Sequence, residues 1–215
     1  MHTETIKPTA QEFARAFLEA YNHCRRLYSG QEWEETWSTN GLWNWFMMWT
    51  TNRPGVLKSE AVIAKTASTL GLAYWEREPL KLDGALYIND ETPEHGFPFP
   101  LVVALEHEND SRTFGSEIQK LLSVRSPLKV GVTYSLDVRE HAGTREYLQQ
   151  LIERKCRRIA AIVGEDPKTE YLFLLGCEEA LREITWYALT FSAAAGGVGS
   201  RFLACEASHA AQGPA

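Results

Sequence analysis

The stretch Leu101-Val102-Val103-Ala104-Leu105-Glu106-His107-Glu108 decides the reading of this chain. Five apolar residues in a row, rich in valine and leucine, are the pattern of a strand buried on both faces. The run then turns acidic. Side chains alternate along a strand, so Glu106 and Glu108 are expected on one face, with Cβ atoms ~7 Å apart. Two carboxylates that close, beside apolar residues, resist ionisation together. A hard divalent cation relieves that repulsion by taking oxygen ligands from both. The segment therefore predicts a central strand that ends in a metal site.

A third acid stands in Lys81-Leu82-Asp83-Gly84-Ala85, in the preceding apolar strand. If the two strands pair antiparallel, Asp83 faces Glu106 across the pair, and Gly84 lets another group approach closely. Acids on a strand are often just the wet face of a sheet. The metal reading rests on the combination of Asp83, Glu106 and Glu108. His107 alternates to the opposite face and reads as a packed or solvated histidine rather than a ligand.

Working outward, residues 8–28 carry Phe13, Phe17, Ala20 and Tyr21 at helical spacing, with Thr9 as the cap and Gly30 as the stop. Residues 31–50 hold five tryptophans, Trp33, Trp37, Trp43, Trp45 and Trp49, read as two short helices whose rings pack on the domain. A base-stacking platform is the alternative use of those rings. After the turn Asn52-Arg53-Pro54-Gly55, a helix is predicted over 56–70, ending at Gly71. Strands follow at 72–77, 80–88 and 100–108, then a helix at 113–124, a strand at 128–134, a helix at 142–163 and strands at 170–176 and 184–192. This order predicts an α/β fold, a mixed central sheet flanked by helices on both faces. Residues 1–55 form an added helical N-terminal layer, 56–193 the core, and 194–215 a Gly- and Ala-rich tail expected to be flexible.

The bulk composition narrows the function. The chain has 215 residues, 44% of them hydrophobic, enough for one decorated domain. No apolar run is long enough to span a bilayer, and the first residues lack the layout of a secretory signal, so a cytoplasmic protein is expected. Cys24, Cys156, Cys177 and Cys205 are scattered, which argues against a zinc site and fits small buried hydrophobes. The net charge of −6 cuts against a general polyanion binder. Bound cations would offset part of it, and local basic clusters exist at Arg25-Arg26 and at Arg154, Lys155, Arg157 and Arg158. Gly196-Gly197-Val198-Gly199 lacks the P-loop lysine, and neither a serine nucleophile elbow nor an H-E-x-x-H motif is present.

Asp83 followed by Glu106-His107-Glu108 resembles the PD-(D/E)XK nuclease superfamily, whose core order α-β-β-β-α-β matches the elements read over residues 56–134. That pattern puts an Asp on the second core strand and Glu-X-Lys on the third. Asp83 and Glu106 take the first two places, and Glu108 stands where lysine is usual, as in some restriction endonucleases of this superfamily. The resemblance implies a restriction-endonuclease-like fold and Mg²⁺, or Mn²⁺, held by Asp83, Glu106 and Glu108. It also offers Glu60 on the first core helix as a further acid. Gln119 or Lys120 on the helix after the third strand could supply the missing polar group. Lys120 is the first candidate to replace the lysine and Lys129 the second. The implied activity is phosphodiester hydrolysis in a nucleic acid, DNA rather than RNA by analogy alone, with a homodimer as a natural way to cut two strands. Two other readings stand beside it: a nuclease-fold binding or regulatory module without catalysis, and an interaction protein that docks a partner on its tryptophan-rich helices.

Overall fold

A computed structural model describes residues 7–27, 47, 61–75, 81–88, 101–135, 137–163, 166–179, 183–192 and 203–204. Four α-helices are seen among them: α1 (Ala10–Arg25), α2 (Val62–Thr69), α3 (Phe114–Ser123) and α4 (His141–Val163). The strands are β1 (Leu72–Trp75), β2 (Gly84–Ile88), β3 (Leu101–His107), β4 (Leu128–Ser135), β5 (Glu170–Glu178), β6 (Ile184–Ser192) and the two-residue β7 (Leu203–Ala204).

The strands form one mixed sheet in sequence order, β1 to β7. β1, β2 and β3 pair antiparallel, β3, β4 and β5 run parallel, and β5, β6 and β7 return antiparallel. Each parallel step needs a crossover, and α3 and α4 supply the two. Both pack on the same face, where Phe114, Ile118, Leu121, Leu148 and Ile152 meet Ala104, Tyr171, Phe173 and Leu189. On the other face α1 and α2 pack Phe13, Phe17, Val62 and Ile63 against Val103, Val130, Leu172 and Trp186. The α/β layering thus follows from the strand pattern. β3, β4 and β5 are buried along most of their length because helices cover both sides.

Local chemistry sets the boundaries. Thr9 and Glu12 form a capping box at the start of α1, with the Glu12 amide donating to Thr9 Oγ1 at 3.2 Å and the Thr9 amide to Glu12 Oε2 at 2.8 Å. The Ala10 amide donates to Glu170 Oε2 at 2.7 Å, which ties the helix start to β5. Phe17 and Tyr21 meet the Trp186 ring edge-on, with centroids 4.8 and 5.4 Å apart. The described part of the N-terminal layer therefore shares a core with the sheet. All five tryptophans of residues 31–50 lie outside the described residues. Gly71, at φ 68°, ends the turn after α2 in a conformation that favours glycine.

Two differences from the sequence expectations stand out. β2 begins at Gly84, so Asp83 occupies the bend just before the strand rather than its interior. Within the expected flexible tail, Leu203 and Ala204 pair with Ala188 and Tyr187 at the edge of β6. No described helix is long and apolar enough to cross a membrane.

Candidate metal centre

The C-terminal end of β3 carries Glu106 onto the face covered by α3, in the row below Ala104. Its side chain is fully buried, at 0% exposure. Gly131 sits beside it on β4 and supplies no side chain to that row. Asp83 arrives from β2. Gly84 pairs with Leu105, so the preceding residue comes level with Glu106. A hydrogen bond fixes it there: the His107 amide donates to Asp83 Oδ2 at 2.8 Å. Two residues earlier, Lys81 holds φ 65°. A residue with a Cβ adopts that left-handed conformation at a cost of roughly 1–2 kcal/mol, and here it accompanies the bend that delivers Asp83.

α3 provides the rest. Glu117 and Lys120 are three apart on the helix and so share a side. Oxygen atoms of Asp83, Glu106 and Glu117 all lie within 4.8 Å of one another. Lys120 Nζ bridges two of them, paired with Glu117 Oε2 and 3.6 Å from Glu106 Oε2.

The electrostatics follow from burial and crowding. Burial, then the charge of Asp83, pushes the Glu106 carboxyl up to about 10, so without a cation it keeps its proton at neutral pH. Lys120 opposes this, but it is 42% exposed and screened, and it faces three acids. Burial also raises Asp83, although the His107 amide pulls the other way. Burial alone would raise Glu117, but the hydrogen bond and charge of Lys120 outweigh it and hold this carboxyl low. The Lys120 ammonium is in turn held above its ordinary value; burial works against it, and Glu117 and Glu106 prevail.

The donor set fits a hard divalent ion. Neither carboxylate oxygen of Glu106 has a hydrogen-bond partner among the described residues, though both are buried. Buried and crowded by two other carboxyls, this group is costly to ionise unless a cation binds beside it. Three carboxylates offering oxygen alone suit Mg²⁺ or Mn²⁺ rather than a soft metal.

The predicted residues divide cleanly. Asp83, Glu106 and Lys120 converge. Glu108 does not join the cluster: it lies just past the end of β3, and its Oε1 accepts from the Asp110 amide at 3.1 Å. Its amide still donates to the Val132 carbonyl of β4 at 2.9 Å, and it is the carboxylate that is drawn off, to the Asp110 amide in the loop beyond. Glu117 takes the third place instead. Its signal was present in the sequence as an acid one helical turn before Lys120 on the same side. Glu60 lies outside the described residues. Lys129 is buried on β4 with Nζ 5.3 Å from the centre of the Tyr171 ring, and Gln119 is exposed; neither belongs to the acid group. His107 points away, with its Nε2 2.9 Å from the Tyr134 hydroxyl, and burial lowers it to about 3. Cys24, Cys156 and Cys177 are buried, as small hydrophobes would be.

Comparison with protein-family models, with curated proteins and with solved structures gives no match.

Proposed function

We propose that the chain is a metal-dependent nuclease that hydrolyses phosphodiester bonds, with DNA as the first substrate to try. The observation that carries this reading is the convergence of Asp83, Glu106 and Glu117 with Lys120 at one end of β3. The element order from α2 to β4 agrees with the one implied by the resemblance to the PD-(D/E)XK superfamily. A restriction-endonuclease-like fold is part of the same proposal.

Asp83, Glu106 and Glu117 would hold Mg²⁺ or Mn²⁺. When bound there, such an ion polarises a phosphoryl oxygen and lowers the pKa of a coordinated water. The chain's own groups supply the rest. To hold a cation, the buried Glu106 would have to give up its proton. The His107 amide fixes the direction of Asp83. Lys120 supplies a positive charge at the rim of the acid group, where it can stabilise negative charge that develops on the phosphate. On this reading Lys120 on α3 would take the role of the motif lysine, which offsets the departure at Glu108.

A second reading, a nuclease-fold module that binds without cutting, draws on the net charge of −6 and on Glu108 at the usual lysine position. One experiment separates the two. Purified protein is incubated with plasmid DNA and with RNA in Mg²⁺ or Mn²⁺, beside Asp83→Ala. The nuclease reading expects metal-dependent cleavage that Asp83→Ala abolishes. Cleavage at an equal rate by both proteins, or none by the wild type in either metal, would overturn it.

A further inference from the structure

A second feature lies just beyond the acid group, at the carboxyl ends of β3 and β4. A cavity of about 830 Å³ opens between the turn that follows β3 and the turn that follows β4. Its size falls in the range of small-ligand pockets, and crevices at the carboxyl ends of parallel strands are where open α/β sheets bind ligands. No residue of the acid group lines it. Asn109, which does, comes three residues after Glu106, on the order of 10 Å along an extended chain.

The two turns have the same construction. Asp110 accepts from the Arg112 amide at 2.9 Å and grips its guanidinium through Nε and Nη2. Asp137 does the same for Arg139, with the amide bond at 3.0 Å. Each arginine is thus held side-on while its side chain stays 87% or 89% exposed, leaving further N–H donors facing solvent. Apart from Glu140, the rest of the wall is uncharged. The Oδ1 of Asn109 is buried without a partner among the described residues. The Ser135 hydroxyl is set by His141 Nδ1 at 2.8 Å and lies 3.3 Å from the Thr144 hydroxyl. His141 is itself anchored, its Nε2 donating to the Glu178 carbonyl at 2.6 Å. Tyr147, one of the large apolar side chains most exposed among the described residues at 48%, completes the lining.

These parts select a ligand chemistry. Three acids against two arginines line the cavity, so a bare phosphate inside it would be repelled. An uncharged group with hydrogen-bonding edges and a flat face would not be. Asn109 lines the wall, Ser135 and Thr144 offer hydroxyls, Tyr147 offers a ring for stacking, and the tethered arginines stand ready for phosphates at the rim. A protein of charge −6 also gains little from indiscriminate attraction to a phosphate backbone, so it needs a built pocket to hold a strand.

We propose that this cavity receives one unpaired base of a nucleic-acid strand and so holds the neighbouring phosphate near Asp83, Glu106 and Glu117. The choice of ligand rests on the nuclease reading above. The preferred substrate is then single-stranded, or a duplex with an unpaired base, rather than an intact duplex.

The test is fluorescence anisotropy in EDTA with a short labelled single strand and with its fully paired duplex. The wild type is compared with Tyr147→Ala, Asn109→Ala and Asp83→Ala, each checked for an unchanged melting temperature. The single strand is expected to bind tighter than the duplex. Tyr147→Ala is expected to weaken it about fivefold or more, the loss usual for one stacked base, with Asn109→Ala in the same direction. Asp83→Ala, which removes an acid facing the neighbouring phosphate, should bind at least as tightly as the wild type in EDTA and fail in Mg²⁺ cleavage. Unchanged affinity in Tyr147→Ala, or a duplex bound as tightly as the strand, overturns the proposal. Should cleavage fail in every protein while Tyr147→Ala still loses the strand, the base pocket stands and the nuclease reading falls.

Discussion

Lys120 Nζ, carried by α3, stands 3.6 Å from Glu106 Oε2 at the end of β3. The cation therefore reaches the acid group from a helix, across the layer boundary, and not from the strand that bears the acid. If it serves the reaction, its removal should cost rate and spare metal binding. Lys120→Met is expected to cut on the order of a hundredfold more slowly, the usual penalty for one lost stabilising donor. Mn²⁺ affinity by calorimetry should hold or rise, since a competing positive charge has gone. Wild-type cleavage by Lys120→Met would remove the lysine from the mechanism.

Glu117 and Glu108 offer a direct contrast. Glu117 shares the pocket with Asp83 and Glu106, while Glu108 is occupied with the Asp110 amide. Glu117→Gln is expected to weaken Mn²⁺ binding roughly tenfold or more, and Glu108→Gln to leave it nearly unchanged. The reverse order in calorimetry would mean that the strand alternation, and not the helix, selects the third ligand.

That contrast shows where the sequence could be read and where it could not. The buried strands β3, β4 and β5 are legible because burial on both faces leaves continuous apolar runs, and the covering helices because their apolar residues recur at helical spacing. Asp83 and Glu106 were legible as acids in apolar company. The third ligand was not, because strand alternation gives a side chain's face and not the partner that its carboxylate takes. The Glu108 amide still bonds to Val132 of β4, yet its carboxylate is taken by the Asp110 amide of the following loop. Choosing Glu117 required knowing that α3 lays that side against the end of β3, a tertiary fact. The cavity between the two Asp-x-Arg turns is of the same kind: each turn is local, and their facing arrangement comes from the parallel crossovers that place them side by side.

Glu106 should leave a mark on stability as a function of pH. Its carboxyl is raised from 4.5 to about 10 in the folded chain. Between those values the native state keeps a proton that the unfolded chain releases. Its contribution is therefore fully present below about pH 4.5 and is lost as pH rises toward about 10. The slope for one proton is at most about 1.4 kcal/mol per pH unit. In EDTA, urea unfolding should show the wild type losing ground to Glu106→Gln between about pH 5 and about pH 8. Mn²⁺ at the higher pH should restore the wild type far more than the variant. A difference between the two proteins that does not change with pH would show that Glu106 ionises normally.

Gly131 connects packing to the site. It pairs with Glu106 on β3 and with Phe173 on β5. A Cβ placed there would come within 2.6 Å of the Phe114 ring and 2.9 Å of the Phe173 ring, both buried. Neither ring is the free end of a flexible chain, so Gly131→Ala must displace one of them. Overpacking of this sort costs about 1–3 kcal/mol. Phe114 opens α3, the helix that carries Glu117 and Lys120. Moving it should therefore shift the helix relative to β3 and loosen the acid group as well as the core. Gly131→Ala is expected to melt several degrees lower and to bind Mn²⁺ more weakly, although the substitution removes no ligand. Gly176→Ala provides the control, since its Cβ would meet Tyr134, Ile184 and Trp186 instead. It should cost comparable stability and leave Mn²⁺ binding intact. Equal metal affinity in all three proteins would mean that α3 is positioned independently of Phe114.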